Sequence, residues 1–305
     1  MQHPHLLHIF SPTKYVSPFD INMAYEARFD AVIPYCNVTL DEITALTQDT
    51  IFSRSPEGVR RTGIFIGGRE FDLALAMLEA AKAAMVPPFT VSVMADPSGA
   101  ITTAAAMVAL VEHWAKKGGG GDLAGRRVCV FGGTGPVGIC TALLASRAGA
   151  RCAIVSHQGQ GAAQVVADRL NRVHGVELDG VDGSSPQAIQ RWLPEVELLF
   201  GAARAGVQVV STETLAAGWA LKVVADANAV PPAGIAGVGV KDKGKALAVG
   251  EGGSAMALGA LTIGDLKYKV HTALLQQMHN ASSPVYLGYE EAFATARALV
   301  AKSRK

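Results

Sequence analysis

Short apolar runs alternate along the chain with longer segments of helical periodicity. Typical short runs are Leu6–Phe10, residues 62–68 and Arg127–Phe131, each bounded by glycine, proline or polar residues. Between them, residues 70–84 and 136–148 repeat apolar side chains at the spacing of one helix face. Strands that alternate with helices are typical of an α/β fold with a largely parallel sheet.

The same pattern predicts most of the other elements. Further buried strands are predicted at residues 31–35, 91–95, 152–155, 198–200 and 223–225. Further helices are predicted to start at Ser17-Pro18 and to cover residues 41–46, 102–114 and 161–173, with Gly175 as the cap of the last of these. After Gly264, Asp265 is expected to cap a helix that carries Lys267 and His271.

A glycine run divides the chain into two parts of different character. The 305 residues suggest about two domains at roughly 150 residues each. Four glycines at residues 118–121, beside charged residues, are typical of a flexible joint. We therefore expect an N-terminal α/β domain at residues 1–117 and a Rossmann-like, doubly wound domain at residues 122–264, with residues 265–305 packing back on the first domain.

Composition and charge exclude several classes of function. A net charge of +1 provides no basic surplus to neutralise a nucleic-acid backbone. No apolar run reaches the ~18 residues needed to span a bilayer, and the start lacks the pattern of a signal peptide. The four cysteines form no C-x-x-C pair, and no histidine lies at metal-ligand spacing from them or from a carboxylate. We expect buried free thiols in a cytoplasmic protein, with no metal site.

A glycine fingerprint carries the strongest chemical signal. The motif Gly133-x-Gly135-x-x-Gly138 follows a predicted strand and opens a predicted helix, which is the context that dinucleotide binding requires. Gly133 is expected to permit the turn, Gly135 to let a pyrophosphate approach the backbone, and Gly138 to allow close packing of the helix on the strand. The predicted cofactor-binding residues of this loop are Gly133, Thr134, Gly135, Pro136, Val137 and Gly138.

The tip of the next strand bears on the choice between NAD and NADP. An acidic residue there would bind the ribose 2′-hydroxyl, and Arg or Lys would accept a 2′-phosphate. The tip reads Val155-Ser156-His157-Gln158 and holds neither. Ser156 and His157 can donate hydrogen bonds to a 2′-phosphate or tolerate a hydroxyl, which favours NADP or the use of both cofactors. The alternative is that His157 is an exposed loop residue without a ligand.

Two further positions have a functional and a structural interpretation each. Asp226 and Asn228 follow a buried strand and could hold the nicotinamide amide, or they could bond the backbone of their own turn. Lys267 lies beside a long apolar stretch, so its side chain either snorkels to solvent or points into a cleft.

Several sequence blocks together resemble one family. They are residues 131–138, 62–68, 96–106 and 226–232, and the combination resembles the bacterial methylene-tetrahydromethanopterin dehydrogenases. Residues 17–23 and 47–54 bring the chain closer to the NAD(P)-using B type than to the NADP-using A type. The resemblance extends from about Leu6 to the C-terminal helix.

This resemblance implies a reaction and a setting. The reaction is oxidation of 5,10-methylene-tetrahydromethanopterin to the 5,10-methenyl form, with hydride passing to NAD or NADP, in the one-carbon (formaldehyde) metabolism of methylotrophic bacteria. The resemblance further implies that two domains enclose a cleft for the pterin, and that the protein is a cytoplasmic homo-oligomer, for which a trimer is one arrangement. No general base is expected, because two nitrogen lone pairs stabilise the cationic product.

The resemblance also implies site residues. Lys267 matches the lysine of the family's Leu-Lys-x-Lys segment and becomes the catalytic candidate. Asp20 matches a Phe-Asp pair, and Thr102 and Thr103 match a double threonine, so these three are candidates for binding the substrate. The structural alternatives are dipole compensation for Asp20 and helix capping for the threonines.

Other functions stay open or are disfavoured. The same hydride transfer could use methylene-tetrahydrofolate as substrate. A non-catalytic NADP-binding sensor that contacts a protein partner would share the fingerprint. A short-chain alcohol dehydrogenase is disfavoured, because Tyr268 and Tyr286 do not begin a Tyr-x-x-x-Lys pair.

Overall fold

The computed structural model describes residues 3–119 and 121–302, which form an α/β fold with two sheets. The strands are β1 (Leu6–Phe10), β2 (Ala31–Tyr35), β3 (Thr62–Ile66), β4 (Ser92–Ala95), β5 (Arg127–Phe131), β6 (Arg151–Ser156), β7 (Leu178–Asp182), β8 (Leu198–Gly201), β9 (Val223–Asp226), β10 (Lys243–Val249), β11 (Gly253–Leu258) and β12 (Tyr286–Leu287). The helices are α1 (Pro18–Glu26), α2 (Ile43–Phe52), α3 (Pro56–Val59), α4 (Phe71–Ala83), α5 (Ala100–Lys117), α6 (Pro136–Arg147), α7 (Gln160–His174), α8 (Pro186–Trp192), α9 (Thr212–Leu215), α10 (Ala260–Asn280) and α11 (Tyr289–Lys302).

Most predicted elements are confirmed. The predicted bounds of β1, β2 and β5 are identical to the observed ones. Helix α1 starts as predicted, with Pro18 in its first turn after Ser17. Helix α7 ends on Gly175, whose φ of 63° is the left-handed conformation expected of a glycine cap.

The prediction for the start of the long C-terminal helix is wrong. Helix α10 begins at Ala260, so Asp265 lies inside it instead of capping it. The chain turns earlier, at Gly259, where a Cβ would lie 2.0 Å from the carbonyl oxygen of Gly239. Beyond that turn Ile263 and Leu266 are buried at helical spacing, which carries the helix through Gly264.

Contacts divide the chain into two units. The first unit contains the residues up to Thr102 together with Tyr268–Thr295, and the second contains Thr103–Lys267 and the residues from Ala296 onward. The divisions at Thr102 and Lys267 fall inside helices α5 and α10. The predicted joint at residues 118–121 follows α5 within the second unit, and its Gly120 lies outside the described residues.

The first unit is built on a five-stranded sheet with the order β12-β4-β3-β1-β2. Each neighbouring pair is parallel. Strand β2 lies on one side of β1, and β3 lies on the other side with β4 beyond it. The direction in which the chain adds strands therefore reverses between β1 and β3. In such sheets ligands bind at the carboxyl ends of the strands beside this reversal.

The second unit is built on a seven-stranded sheet with the order β10-β11-β9-β8-β5-β6-β7. Its pairs are parallel except for the β10–β11 hairpin. The order reverses between β5 and β8, so the loops after these two strands flank the expected ligand position.

The structure tests the predictions about membrane spans, metal ligands and cysteines for the described residues. No described helix is long and apolar enough to cross a bilayer, and no group of three or more His, Cys, Asp or Glu among the described residues is arranged to hold a metal ion. Cys129, Cys140 and Cys152 are buried free thiols, as predicted. The prediction is wrong for Cys36, which is exposed because it directly follows the edge strand β2.

We expect Phe200→Ala to lower the free energy of unfolding by about 3–5 kcal/mol, because it would leave a large cavity in the core. Phe200 is fully buried on β8 and pairs with Val130 and Ala225 of the neighbouring strands. Denaturant unfolding of both proteins measures the change. Val165→Ala is the control, since Val165 is 70% exposed on α7. Equal losses in the two variants would contradict the assigned core.

Candidate functional site

The turn after β5 depends on a glycine outside the predicted fingerprint. Gly132 has a φ of +70°, which favours glycine, and a Cβ there would lie 2.4 Å from the carbonyl oxygen of Ala202. The turn was expected to depend on Gly133, whose φ is outside the left-handed range. Gly133 is needed for packing instead, because a Cβ added at this position would lie 2.6 Å from the Cβ of Ile154.

The other two glycines of the fingerprint serve different needs. A Cβ on Gly138 would lie 2.1 Å from the carbonyl oxygen of Gly132, so α6 can approach the turn only with glycine at this position. Gly135 is the N-cap of α6. The atom nearest to a Cβ added at Gly135 would be the carbonyl oxygen of Gly132, at 3.4 Å. The protein itself therefore leaves space above Gly135, next to the exposed N–H groups of a twelve-residue helix.

A cavity of about 660 Å³ opens beside this turn. It lies at the carboxyl ends of four strands, and its lining includes Gly132, Thr134 and Gly135 after β5, His157 after β6, Gly183, Ser184 and Ser185 after β7, and Ala202, Ala203 and Arg204 after β8. Its volume suits a cofactor-sized ligand. The glycine turn, the helix N-terminus and the cavity together fit a dinucleotide whose pyrophosphate lies over Gly135.

The two predicted residues at the tip of β6 lie in different surroundings. Ser156 is buried, and its hydroxyl oxygen accepts a hydrogen bond of 3.1 Å from the backbone N–H of Gln158. His157 is exposed and lines the cavity. Ser156 therefore shapes the turn, while His157 is one of the residues that line the cavity.

Asp226 and Asn228 both bond the backbone of their own loop. The carboxylate of Asp226 accepts hydrogen bonds from the backbone N–H groups of Asn228 and Ile235, each at 3.0 Å. The side-chain oxygen of Asn228 accepts from Gly206 and Val230, and its amide donates to the carbonyl of Pro232. Burial raises the pKa of Asp226, although these hydrogen bonds oppose the shift. A contact of either side chain with nicotinamide stays a prediction.

In the first unit, Asp20 lies at the carboxyl edge of the sheet. It belongs to the first turn of α1 and is only 4% exposed. Its Oδ2 lies 3.7 Å from the position of a Cβ on Gly67, and Ser11 and Phe65 contact the same position. Ser11 and Gly67 directly follow β1 and β3, so Asp20 lies where the strand order reverses.

A buried carboxylate next to this edge joins three parts of the first unit. Asp96 follows β4 and is fully buried. Its Oδ1 accepts hydrogen bonds from the N–H groups of Ile101 (2.9 Å) and Thr102 (3.1 Å). Its Oδ2 accepts from the Thr102 hydroxyl (2.6 Å) and pairs with Nδ1 of His271 (2.9 Å). The side chain of Thr102 is therefore directed to Asp96.

The environment of Asp96 favours its ionised form. Burial raises the pKa of this carboxyl, but the hydrogen bond and charge of His271 and the hydrogen bonds from Thr102 outweigh it, so that the pKa lies below its usual range. His271 is itself fully buried, with Phe19 and Phe65 at ring-centroid distances of 5.4 and 5.7 Å. Its Nε2 is buried and has no hydrogen-bond partner among the described residues.

Lys267 lies on α10, four residues before His271. Residues four apart in a helix lie on the same face, so Lys267 is on the helix face that also carries His271. Its side chain is half-buried, which agrees with either of the interpretations given above. Thr103 is half-buried on α5, next to the fully buried Thr102.

Sequence reasoning missed several residues of these two regions. Asp96 and His271 lie 175 residues apart in the chain, and a separation of this length gives no local spacing signal. In the second unit, Ser184 lines the cavity without belonging to a predicted motif, and Gly132 lies next to the three glycines of the predicted fingerprint. Arg204 lies in the segment of residues 201–206 after β8, which the sequence places beside the same crevice. Gly132 had a visible signal, since three of four consecutive residues, 132–135, are glycines.

We expect Asp96→Asn to lower the free energy of unfolding by about 2 kcal/mol at neutral pH, because it removes the charge that four donors stabilise. The folded-state pKa of Asp96 lies below its ordinary 3.8, so its ionised form stabilises the fold above that pH and this contribution disappears as the pH falls. The difference in unfolding free energy between wild type and variant should therefore shrink in acid.

Denaturant unfolding at a series of pH values measures this difference. Asp49→Asn is the matched control, since Asp49 is exposed on α2, and it should change the free energy by less than about 0.5 kcal/mol. A difference between wild type and Asp96→Asn that stays constant with pH would contradict the assigned ionisation.

The chain is similar to proteins of known activity. A family profile described as methylene-tetrahydromethanopterin dehydrogenase, N-terminal, matches residues 18–98, which include Asp20 and Asp96. The NAD(P)-dependent methylenetetrahydromethanopterin dehydrogenase of Methylorubrum extorquens is 40% identical over 291 residues, 95% of this chain and 97% of that protein. The bifunctional protein MdtA of the same organism is 33% identical over 281 residues, 92% of this chain and 94% of that protein.

Among solved structures, the chain resembles shikimate 5-dehydrogenase from Listeria monocytogenes in complex with shikimate and NAD. The TM-score is 0.50 and the identity 13%, with 96% of both chains covered. This similarity supports the Rossmann-like fold alone. An identity of 40% over nearly the full length of both proteins goes further, and by that measure the chain belongs to the methylene-tetrahydromethanopterin dehydrogenase family.

Proposed function

We propose that this chain oxidises 5,10-methylene-tetrahydromethanopterin to the 5,10-methenyl form with NAD or NADP as the oxidant. The observation that carries the proposal is the 40% identity to the NAD(P)-dependent enzyme over 95% of this chain. The cavity beside the glycine turn supports it independently, because it fits a dinucleotide.

The second unit provides the cofactor site. The N–H groups at the start of α6 bind the pyrophosphate, and the glycines at positions 132, 133 and 135 keep the backbone free of side chains there. His157 lines the cavity and is the candidate contact of the ribose. Asp226 and Asn228, which are not among the residues that line this cavity, stay the candidates for the amide of the nicotinamide ring. When bound, the nicotinamide ring accepts the hydride.

The first unit provides the pterin site. Asp20 lies at the carboxyl ends of β1 and β3, and its carboxylate would accept hydrogen bonds from the N–H groups of the pterin ring. Thr103, the first residue of the second unit, stays a candidate contact of the substrate. We assign Thr102 a positioning role, because its hydroxyl donates to Asp96.

The chemistry requires orientation more than acid or base catalysis. The carbon that loses hydride lies between two nitrogens, whose lone pairs stabilise the positive charge of the product. Residues that hold the pterin in one orientation therefore account for much of the rate. Lys267 is the candidate for this task, and its charge has to be offset there, because a bare cation would oppose the charge that forms.

We further propose a cytoplasmic homo-oligomer, as the family resemblance implies. The buried free thiols of Cys129, Cys140 and Cys152 suit a reducing compartment. Exposed apolar side chains, such as Phe52, which packs at a ring distance of 5.6 Å on Phe89, would be covered in an oligomer.

A steady-state assay of methylene-tetrahydromethanopterin and methylene-tetrahydrofolate, each with NAD and with NADP, tests the activity. We expect faster turnover with the methanopterin substrate. Turnover with the folate alone would replace the proposed substrate. Binding of NADP without reduction by either pterin would favour the sensor function instead.

We expect Gly135→Val to weaken the binding of NAD and NADP on the order of tenfold or more, because a branched side chain would occupy the space of the pyrophosphate. Fluorescence or calorimetric titration measures the dissociation constants. Gly161→Val is the control, since a Cβ on Gly161 would meet no atom within 4 Å and the residue lies on α7. Unchanged affinity of a folded Gly135→Val protein would remove this turn from the site.

We expect Lys267→Ala to lower kcat on the order of a hundredfold while cofactor affinity stays nearly unchanged, because the pterin loses its orientation. The assay above, with cofactor titrations, separates the two effects. Lys269→Ala on the same helix is the control and should retain its turnover, as Lys269 is exposed. Near-normal turnover of Lys267→Ala would exclude this lysine from the active site.

A further inference from the structure

A buried histidine of the first unit has no role in the proposed hydride transfer. His271 lies on α10, is fully buried, and its Nδ1 pairs with Oδ2 of Asp96 at 2.9 Å. The transfer itself needs neither an acid nor a base, because the nitrogens beside the reacting carbon stabilise the product. The contacts of the His271 ring therefore have to explain why this pair lies at the carboxyl edge of the sheet.

The His271 ring packs on two aromatic rings from other elements of the first unit. Phe19, in the first turn of α1, makes a T-shaped contact with a centroid distance of 5.4 Å. Phe65, on β3, lies at 5.7 Å. The Nε2 atom of His271 is buried and has no hydrogen-bond partner among the described residues, so the ring holds these two neighbours by packing alone. The bond from Nδ1 to Asp96 fixes the orientation of the ring.

The same cluster of side chains includes Asp20. Asp20 directly follows Phe19 in the first turn of α1, so both side chains depend on the orientation of one turn. Oδ2 of Asp20 and Cε1 of Phe65 lie 3.7 and 3.8 Å from the position of a Cβ on Gly67. The N-cap residue Ser17 makes no side-chain hydrogen bond to this turn. Packing therefore has to supply the orientation that a capping bond would otherwise stabilise.

We propose that His271 is a positioning residue of the pterin site. Its ring packs against Phe19 and keeps the first turn of α1 in the orientation that presents Asp20 to the substrate. Helix α1 has only nine residues, so a small rotation would displace the carboxylate at its start. Misplacement of a binding group by about 1 Å can cost on the order of a hundredfold in rate. The inference rests on the proposed function, because it assumes that Asp20 binds the pterin.

Two substitutions of His271 separate its two contacts. His271→Asn keeps a donor for Asp96 near the place of Nδ1 but removes the ring that packs on Phe19. His271→Phe is the conservative variant for packing, since it keeps a ring of similar size but removes the donor. We expect His271→Asn to raise the KM for methylene-tetrahydromethanopterin roughly tenfold, and the ring of His271→Phe to keep this KM within about threefold of wild type.

Stability should change in the opposite order. His271→Phe removes one of the hydrogen bonds that the buried carboxylate of Asp96 accepts, so its denaturant midpoint should fall further than that of His271→Asn. A purely structural role would make the KM follow the loss of stability. Hydrogen exchange of the backbone amides of α1 gives a readout without substrate. It should be faster in His271→Asn and close to wild type in His271→Phe.

His279→Asn is the matched control. His279 lies on the same helix and also packs on rings, with His5 at a centroid distance of 3.8 Å and Phe29 at 5.5 Å. Neither of these rings belongs to α1, so the KM for the pterin and the exchange of α1 should stay unchanged. An unchanged KM in His271→Asn overturns the proposal. So does a rise in KM in both His271 variants that follows their loss of stability.

The same measurements separate this inference from the proposed function. If the wild-type protein is active and His271→Asn changes neither the KM nor the exchange of α1, only this inference fails. If the wild-type protein oxidises no methylene pterin, the proposed function and the role of His271 in a pterin site fail together. Hydrogen exchange then still reports whether the ring holds α1.

Discussion

The packing of the first unit depends on the hydrogen bonds that one buried carboxylate, that of Asp96, accepts. An ionised Asp96 without partners would cost several kcal/mol in the protein interior. Its donors come from the start of α5 and from His271 on α10, which lies 175 residues further along the chain. Because one group receives all these hydrogen bonds, the end of β4, the first turn of α5 and the middle of α10 have to be correctly placed together.

Both units place their candidate sites by the same topological rule. In the first unit Asp20 lies beside the carboxyl ends of β1 and β3, and in the second the cavity lies beside those of β5 and β8. In each case the strand order reverses at that point, which leaves the sheet edge open between diverging connections. The side chains at the two positions differ completely. The topology therefore determines where a ligand can bind, and the local side chains determine which ligand fits.

The sequence predicts local structure well because it is encoded locally. The runs at β1, β2 and β5 are apolar and bounded by breaking residues, and Gly175 ends α7 as a glycine cap should. Strand β7 was missed because two of its five residues are aspartates, which interrupt the apolar pattern. The Asp96–His271 pair was missed because only tertiary packing brings these residues together. The predicted start of α10 lies too late in the sequence, because the first turn of this helix is set by the close approach of Gly259 to another loop.

The loop that follows β9 has a consequence for how a ligand is received. Asp226 and Asn228 direct their polar atoms to backbone groups between Gly206 and Ile235, so the conformation of the loop is already fixed when the chain has folded. The entropy of ordering these residues is lost during folding and not at the moment of association. A ligand bound at this loop would therefore meet a backbone that is already ordered, which lowers the entropic cost of association.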